Sequence, residues 1–533
     1  MSQSVQVDTV EAEIHINIIF GDRSADIIKA NDMSYCLIAL HFITYLTNHR
    51  KEDLQMNINL TMLMDFYEFT MSNGFFEEGF CDKIGYFDIF FRKNPDDGGF
   101  AIMAGVEQAI DYLSNLRFEK EDIEYLRGKK LFSEKYLEYL ENFKFCCDVW
   151  AIPEGTPIFP GEPIMIVRGP VIQAQLVETM LLLIINHQSL IATKANRIVR
   201  AAQGRPIMEF GSRRAQGAEA AILGARAAYI GGCVGTACAA TDELYGVPAL
   251  GTMAHSWVQM FDTEYDAFLA YAKNYPNNCT LLIDTYNVLK SGLPNAIKVF
   301  KEYLVPNGYR PKGVRIDSGD ITYLSKKCRE ILDREGFSDC SIVASNSLDE
   351  YIIRDMLLQG AEITSFGVGE RLITSKTSPV FGGVYKLVAV EDKEGNIIPK
   401  IKISENVAKI TTPGFKQVYR LYSSDSSKAI ADVITMNDEV IDTDSYELFD
   451  PEHTWKRKTV TDFYARPLLK PIFKKGECVY ENPNIEALRE YCKLEVDGLW
   501  DEVKRFENPH TYYVDMSKRL WELKQSMLEE CSL

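Results

Sequence analysis

The 533-residue chain lacks most of the patterns that announce a common chemistry. Its 7 histidines include no HxH or HExxH pair, which excludes a zinc-protease helix. Its 12 cysteines contain no CxxC, and no histidine stands at zinc-site spacing from a cysteine pair, so reduced structural thiols are expected. There is no Walker pattern, no GxGxxG after an early strand and no G-x-S-x-G. The amino-terminal stretch lacks the basic start and sustained apolar core of a secretory peptide. The apolar run Met180 to Ile185 has six residues, against the roughly 20 needed to cross a bilayer. A cytoplasmic protein without a membrane partner is therefore expected. Cations are also scarce: 58 Lys and Arg against 76 Asp and Glu leave a formal charge of -18. That field disfavours a nucleic-acid partner.

What is present reads as large, soluble and mixed α/β, with 46% hydrophobic and 25% charged residues. Residues 1–55 hold a candidate helix, "ANDMSYCLIALHFITYLTNH", and then the polar "RKEDLQ", an extension of uncertain status. A new pattern begins at Met56. Leu60, Leu63, Met64, Tyr67 and Met71 recur at helical spacing, and Asn73-Gly74 is the expected stop. The segment 56–200 continues with a strand in "KIGYFDIFFRK", further helices, and short β runs in "CDVWAIPEGTPIFPGEPIMIVRGP". From about 201 to 400 the rhythm changes to strands alternating with helices. "PIMEF", "YIGGCVG", "PALGTM", "TLLID", "GVRID", "SIVAS", "EITSFG" and "YKLVAV" are the expected strands. About eight parallel strands with helical crossovers favour a closed (β/α) barrel over an open sheet. Residues 401–533 lose that rhythm and are expected to complete the small β unit or pack on the barrel.

In such a repeat, function gathers at the carboxyl ends of strands. Glu209, Arg213 and Arg214 follow the first strand, and Gly235, Thr236 and Ala237 the second. His255 follows the third, in "PALGTMAHSWVQMF"; Asp284, Thr285 and Tyr286 follow the next. "RIDSGD" supplies Arg315, Asp317, Ser318 and Asp320. The glycine clusters Gly367/Gly369 and Gly382/Gly383 suit either tight turns or backbone amides aimed at an anion. Arg213 and Arg315 suit a phosphate or a surface ion pair. Asp317 suits ribose hydroxyls, a phosphate-bound divalent ion, or a helix cap. His255 suits a base, a ligand or a phosphorus nucleophile, or simply a satisfied core histidine. Together these favour a site for a multiply phosphorylated sugar.

Linked segments from about residue 56 onward resemble the nicotinate phosphoribosyltransferase family: "NLTMLMDFYEFTM", "IMEFGSRRAQG", "GTMAHSW", "LLIDTYN", "VRIDSGD", "SFGVGERLITS" and "FGGVYKL". The resemblance implies an irregular (β/α) barrel with a smaller mixed α+β domain, built from the N-terminal part and the C-terminal region. It implies transfer of 5-phosphoribosyl from its 1-diphosphate to nicotinate, with Mg²⁺, coupled to ATP hydrolysis through a phosphohistidine at His255. It implies a homodimer in which Tyr67 reaches the neighbouring subunit and stacks on the pyridine ring opposite Phe210, with Asp65 shaping that site. Arg213 and Arg315 are then phosphate ligands, Asp317 and Ser318 substrate-binding residues, and Gly367, Gly369, Gly382 and Gly383 the cradle of the 5′-phosphate. Relatives that use nicotinamide carry an aspartate after the "GT" of the second strand. Ala237 stands there, with Thr236 before it, and Arg214 adds positive potential. A nicotinamide-using enzyme, a sugar-phosphate lyase or isomerase, and a non-enzymatic sensor are the alternatives. Two departures are noted. Asn287 stands in "DTYNVL" where an aspartate is expected, which puts a metal or sugar role there in question. Residues 1–55 fall outside the resemblance, so either Met56 is the functional initiator or the extension covers the dimer surface.

Overall fold

The computed structural model describes residues 60–406 and 409–531. Residues 1–55 and Met56, with the expectations attached to them, lie outside the described residues. The parallel repeat is there, with fewer strands than the rhythm implied. Six strands pair in the order Gly235–Thr236, Ile207–Glu209, Ser365–Val368, Ser341–Ser345, Gly313–Ile316, Thr280–Leu282, all parallel. "PALGTM" contributes a single parallel bridge from Ala249 to Thr236. The first strand pairs with both the second and the last. Each step along the chain moves the same way round the sheet, so right-handed crossovers place their helices on one face. That is the winding of a barrel; a doubly wound sheet reverses direction at a switch point. Among the described residues no ladder joins Ala249 to Thr280–Leu282, where a closed cylinder needs one.

The eighth expected strand belongs elsewhere. Val384–Glu391, which contains "YKLVAV", pairs antiparallel with Ile84–Phe90. The whole second sheet is antiparallel, in the order Ile397–Pro399, Val384–Glu391, Ile84–Phe90, Met165–Pro170, Asp148–Ala151, Lys470–Lys474, Glu477–Cys478. Tyr385 is buried there and its ring stacks on Phe87 at 4.9 Å. Alternating apolar residues specify a half-buried strand, not the sheet that receives it. Similarly, Tyr229 and Ile230 of "YIGGCVG" end the helix Ala218–Ile230, and the strand is confined to Gly235–Thr236. A third sheet joins Phe463–Pro467, Lys416–Ser423, Ala429–Met436 and Val514–Met516. The C-terminal region thus supplies strands to the second sheet and a sheet of its own.

The helix Glu178–Ala201 runs through the core. With the turn before it, Val171–Ala201 is long and apolar enough to span a membrane, with a mean hydropathy of 1.4 in its most apolar window. That window is 67% buried inside the protein, the character of a core helix. The eleven described cysteines are all unpaired, as their spacing implied.

The helix Phe66–Glu77 differs from its sequence reading in two ways. It passes through Asn73-Gly74 and stops where Gly79 takes a left-handed φ of +73°. Its buried residues are Glu68, Phe69 and Ser72, whereas Tyr67 is 43% and Met71 40% exposed. The periodic stripe is therefore divided: Leu63, Tyr67 and Met71 face away from the chain's own core, while Leu60 and Met64 pack against it. Glu68 anchors the opposite face: its Oε1 accepts from the Thr179 N–H at 3.1 Å and from the Thr179 hydroxyl. Burial first, and the nearby Glu178 carboxylate, push the Glu68 carboxyl up to about 7. The unfolded chain ionises this acid before the folded one does. Stability is therefore highest below the ordinary carboxylate range and falls as pH rises to about 7. Glu68→Gln keeps an acceptor for Thr179 and removes the titration. We expect thermal melts between pH 5 and pH 7 to show a decline in the wild type, on the order of 2 kcal/mol, that the variant lacks. Parallel declines in both proteins would refute this.

Candidate functional site

Asp284 lies just beyond Thr280–Leu282, with its side chain 1% exposed. Both of its oxygens are used. Oδ1 holds His255 Nε2 at 3.2 Å; Oδ2 accepts from the Asp317 N–H at 3.0 Å and the Ser318 hydroxyl at 2.6 Å. One buried carboxylate thus joins the turn after the third predicted strand to the "RIDSGD" turn. His255 itself opens a short helical turn, His255–Gln259, and keeps 39% of its side chain exposed.

Arg315 links the next strand ends. It is 15% exposed, and its Nη2 meets Asp317 Oδ1 at 3.0 Å. Its Nε donates to the Ser345 hydroxyl at 2.9 Å and its Nη1 to the Thr252 hydroxyl at 3.3 Å. Ser345 in turn donates to Asp317 Oδ1. The guanidinium lies 5.7 Å from the Phe210 ring centroid, within cation–π range. Histidine, arginine, two aspartates and an aromatic ring therefore converge at one end of the parallel sheet.

Phe210 is seated by close backbone approach. Its N–H donates to the Val368 carbonyl at 2.7 Å. A side chain on Gly367 would lie 2.6 Å from the Phe210 ring, and one on Gly369 would lie 3.0 Å from its carbonyl oxygen. At these two positions glycine answers the packing of Phe210. Gly382 and Gly383 also differ from each other. The Gly383 amide is already bound to Asn186 Oδ1 at 3.0 Å. Gly382, at φ +76° with open space beside it, lines a cavity of about 390 Å³ with Arg92, Lys93 and Thr377.

The remaining predicted residues are placed as follows. Arg213 and Arg214 occupy the exposed single turn Ser212–Arg214, and neither makes a side-chain hydrogen bond or ion pair with the described residues. Arg214 lines a second cavity with Glu370 and Lys376. Lys376, with a smaller contribution from Arg214, holds the Glu370 carboxyl below its ordinary range. Thr236 is buried and its hydroxyl donates to Glu209 Oε2 at 2.7 Å; Ala237 is exposed beside it. The Asp65 N–H donates to Thr179 Oγ1 at 3.1 Å. Partial burial and the Glu178 charge raise the Tyr67 phenol. No ring contact joins Tyr67 to Phe210 within the described residues. The helix cap that competed for Asp317 is Asp320, whose carboxylate accepts from the Tyr323 N–H at 3.0 Å. Asn287 is a cap as well, accepting from the Lys290 N–H at 2.8 Å.

Two members of the cluster, Thr252 and Ser345, were not singled out from the sequence, and Asp284 was named at its strand end without a role. Ser345 ends its strand, so the rule that selected Asp317 reaches it. Thr252 has no such signal.

Known proteins with matching sequence or fold were then compared. The model for the nicotinate phosphoribosyltransferase N-terminal domain matches residues 62–186, that for the nicotinate phosphoribosyltransferase family residues 206–429, and that for the C-terminal domain residues 415–524. The nicotinate phosphoribosyltransferase of Bacillus subtilis is 42% identical over 475 residues, covering 89% of this chain and 96% of its own. The crystal structure of human nicotinic acid phosphoribosyltransferase superposes with a TM-score of 0.77 at 28% identity, covering 87% of this chain and 99% of that one. A nicotinate-nucleotide pyrophosphorylase from Pyrococcus furiosus shares the fold, with a TM-score of 0.64 at 24% identity over 83% of this chain and 98% of its own.

Proposed function

Because the chain belongs to the nicotinate phosphoribosyltransferase family, we propose that it joins nicotinate to 5-phosphoribosyl 1-diphosphate and releases diphosphate, coupled to ATP hydrolysis through His255, in NAD salvage in the cytoplasm. The observation that carries this reading is the unbroken chain of contacts from the Arg315 guanidinium to the Asp317 carboxylate, from the Asp317 backbone N–H to the Asp284 carboxylate, and from Asp284 to His255. It places a fixed cation and a carboxylate-held imidazole on one stage.

In the transfer step, the pyridine nitrogen bonds to the anomeric carbon as the carbon–oxygen bond to diphosphate breaks. Positive charge develops on the ribose ring, so orientation and electrostatics supply much of the rate. Arg315, and Arg213 at the exposed turn, receive phosphate oxygens; Asp317 and Ser318 face the ribose. Among the described residues no three His, Cys, Asp or Glu converge as an all-protein metal cage. Mg²⁺ needs fewer, since one or two carboxylates suffice when substrate phosphates complete its shell. Asp317 fits, because Oδ2 stands outside the bonds that Oδ1 makes to Arg315 and Ser345. When bound, Mg²⁺ neutralises the departing diphosphate.

His255 serves the ATP step. Asp284 accepts from Nε2–H, which leaves the lone pair on Nδ1. That nitrogen forms the bond to the γ-phosphorus as the bond to ADP breaks, and Asp284 steadies the resulting cationic ring. The exposed stripe of Leu63, Phe66, Tyr67 and Met71 supports a homodimer in which Tyr67 covers the pyridine bound at the partner's Phe210.

Product analysis with nicotinate, phosphoribosyl diphosphate and Mg²⁺, with and without ATP, tests the whole reading. Nicotinate mononucleotide should form in both and increase with ATP; no diphosphate release would end it. Ala237→Asp should set a carboxylate beside the substrate's own. We expect the KM for nicotinate to rise about 10-fold and the acid-to-amide ratio to fall. An unchanged ratio would remove Ala237 from the pocket.

A further inference from the structure

Glu209 is a fully buried acid at the end of the first parallel strand, and no ion pair compensates it among the described residues. Burial raises its carboxyl above the ordinary range. An apolar residue or an amide would cost less to bury. The contacts explain the acid. Its Oε1 accepts from the Gly211 N–H, and its Oε2 from the Thr236 hydroxyl at 2.7 Å. A carboxylate presents an acceptor on both oxygens, whereas an amide presents one acceptor and one donor. Glutamate can therefore hold two donors on two different strand ends at once.

Those donors belong to the two turns assigned above to the pyridine ring. On one side the held amide is Gly211, between Phe210 and the Ser212–Arg214 turn, where the Arg214 N–H closes onto the Gly211 carbonyl at 2.7 Å. Gly211 has no room for a side chain: an added Cβ would lie 2.7 Å from Glu209 Oε1 and 2.6 Å from Ile373 Cβ. On the other side Thr236 Oγ1 accepts from the Cys238 N–H at 3.0 Å, while the Glu209 carbonyl accepts from the Ala237 N–H at 2.8 Å. Glu209 thus touches both turns through its backbone and its side chain.

We propose that Glu209 is a positioning residue that clamps the Phe210–Arg214 turn to the Thr236–Cys238 turn and so sets the width and register of the nicotinate subsite. The clamp rests on the nicotinate reading for its consequence, not for its existence. It acts on the pyridine half of the reaction and leaves the phosphoribosyl half, built on Arg315 and Asp317, in place.

The test compares Glu209→Ala, Glu209→Gln and Thr236→Val in the full chain, with two readouts. The first is amide hydrogen exchange in peptides covering residues 210–217 and 235–240. Exchange should quicken in both peptides for Glu209→Ala. In Glu209→Gln, the Gly211 side should stay protected while the Thr236 side loosens. The second readout is steady-state kinetics. Glu209→Ala should raise the KM for nicotinate about 10-fold or more, with the KM for phosphoribosyl diphosphate within about 3-fold of wild type. Glu209→Gln should recover most of the difference, and Thr236→Val should fall between. Unchanged exchange in Glu209→Ala, or equal rises in both KM values, overturns the clamp. Should the wild type make no nicotinate mononucleotide while exchange responds as described, the substrate reading fails and the clamp stands.

Discussion

His255→Ala is expected to abolish the increase in nicotinate mononucleotide that ATP produces, while leaving slower ATP-independent synthesis. The reason lies in the division of labour at the strand ends. The imidazole is held by Asp284 and makes no hydrogen bond to Arg315 or Asp317, so its removal leaves the phosphoribosyl side intact. ADP release should fall by about 10³-fold or more, because no other side chain at this site is an activated nitrogen nucleophile. Asp284→Asn is the companion variant. Its amide oxygen still accepts from Nε2–H but carries no charge to steady a phosphorylated ring, and its NH2 then opposes the Asp317 N–H. ATP turnover should fall about 10- to 100-fold, the scale of outer hydrogen-bond partners elsewhere. Both are read by coupled ADP assay and by acid-labile phosphate on the protein. ATP hydrolysis at the wild-type rate in His255→Ala would overturn the assignment.

The other large effect is expected from Arg315. This side chain alone reaches Asp317, Ser345, Thr252 and the ring of Phe210. Its removal leaves the half-buried Asp317 carboxylate without its cation and, on the proposed reading, a substrate phosphate without that donor. Losing one preorganised donor aimed at developing charge typically costs about 10²–10³-fold, so kcat/KM for phosphoribosyl diphosphate should fall by about 10³-fold in Arg315→Ala. Lysine brings the charge but not the planar fork that serves Ser345 and Asp317 together, so Arg315→Lys should recover only about 10-fold of that loss. Nicotinate affinity should change far less. Full activity in the lysine variant would mean that charge alone matters there and that the observed hydrogen-bond geometry does not.

The barrel rhythm and the strand-end rule were legible because both are local. A βα repeat writes its period into ten or fifteen consecutive residues, and a polar residue after an apolar run marks a strand end without any knowledge of its neighbours. This is why His255, Arg315 and Asp317 could be selected before any contact was known. Local patterns were silent about partners. Tyr385 and its strand had the right alternation for the parallel sheet and pair with Ile84–Phe90 instead. The stripe through Tyr67 and Met71 had helical spacing and faces outward. Asp317 suited a helix cap on paper, yet it holds Arg315, and Asp320 caps the Tyr323 amide.

From residue order alone came the family, the βα repeat and the identity of the ionisable side chains at the strand ends. Their pairing came from the fold. His255 finds Asp284 29 positions away, Asp284 finds the Asp317 amide 33 away, and Arg315 finds Thr252 63 away. A hydrogen bond of about 3 Å tolerates little error in distance or angle. Whether two strand ends meet within that tolerance depends on sheet register and twist across several crossovers, and no short stretch of chain encodes either.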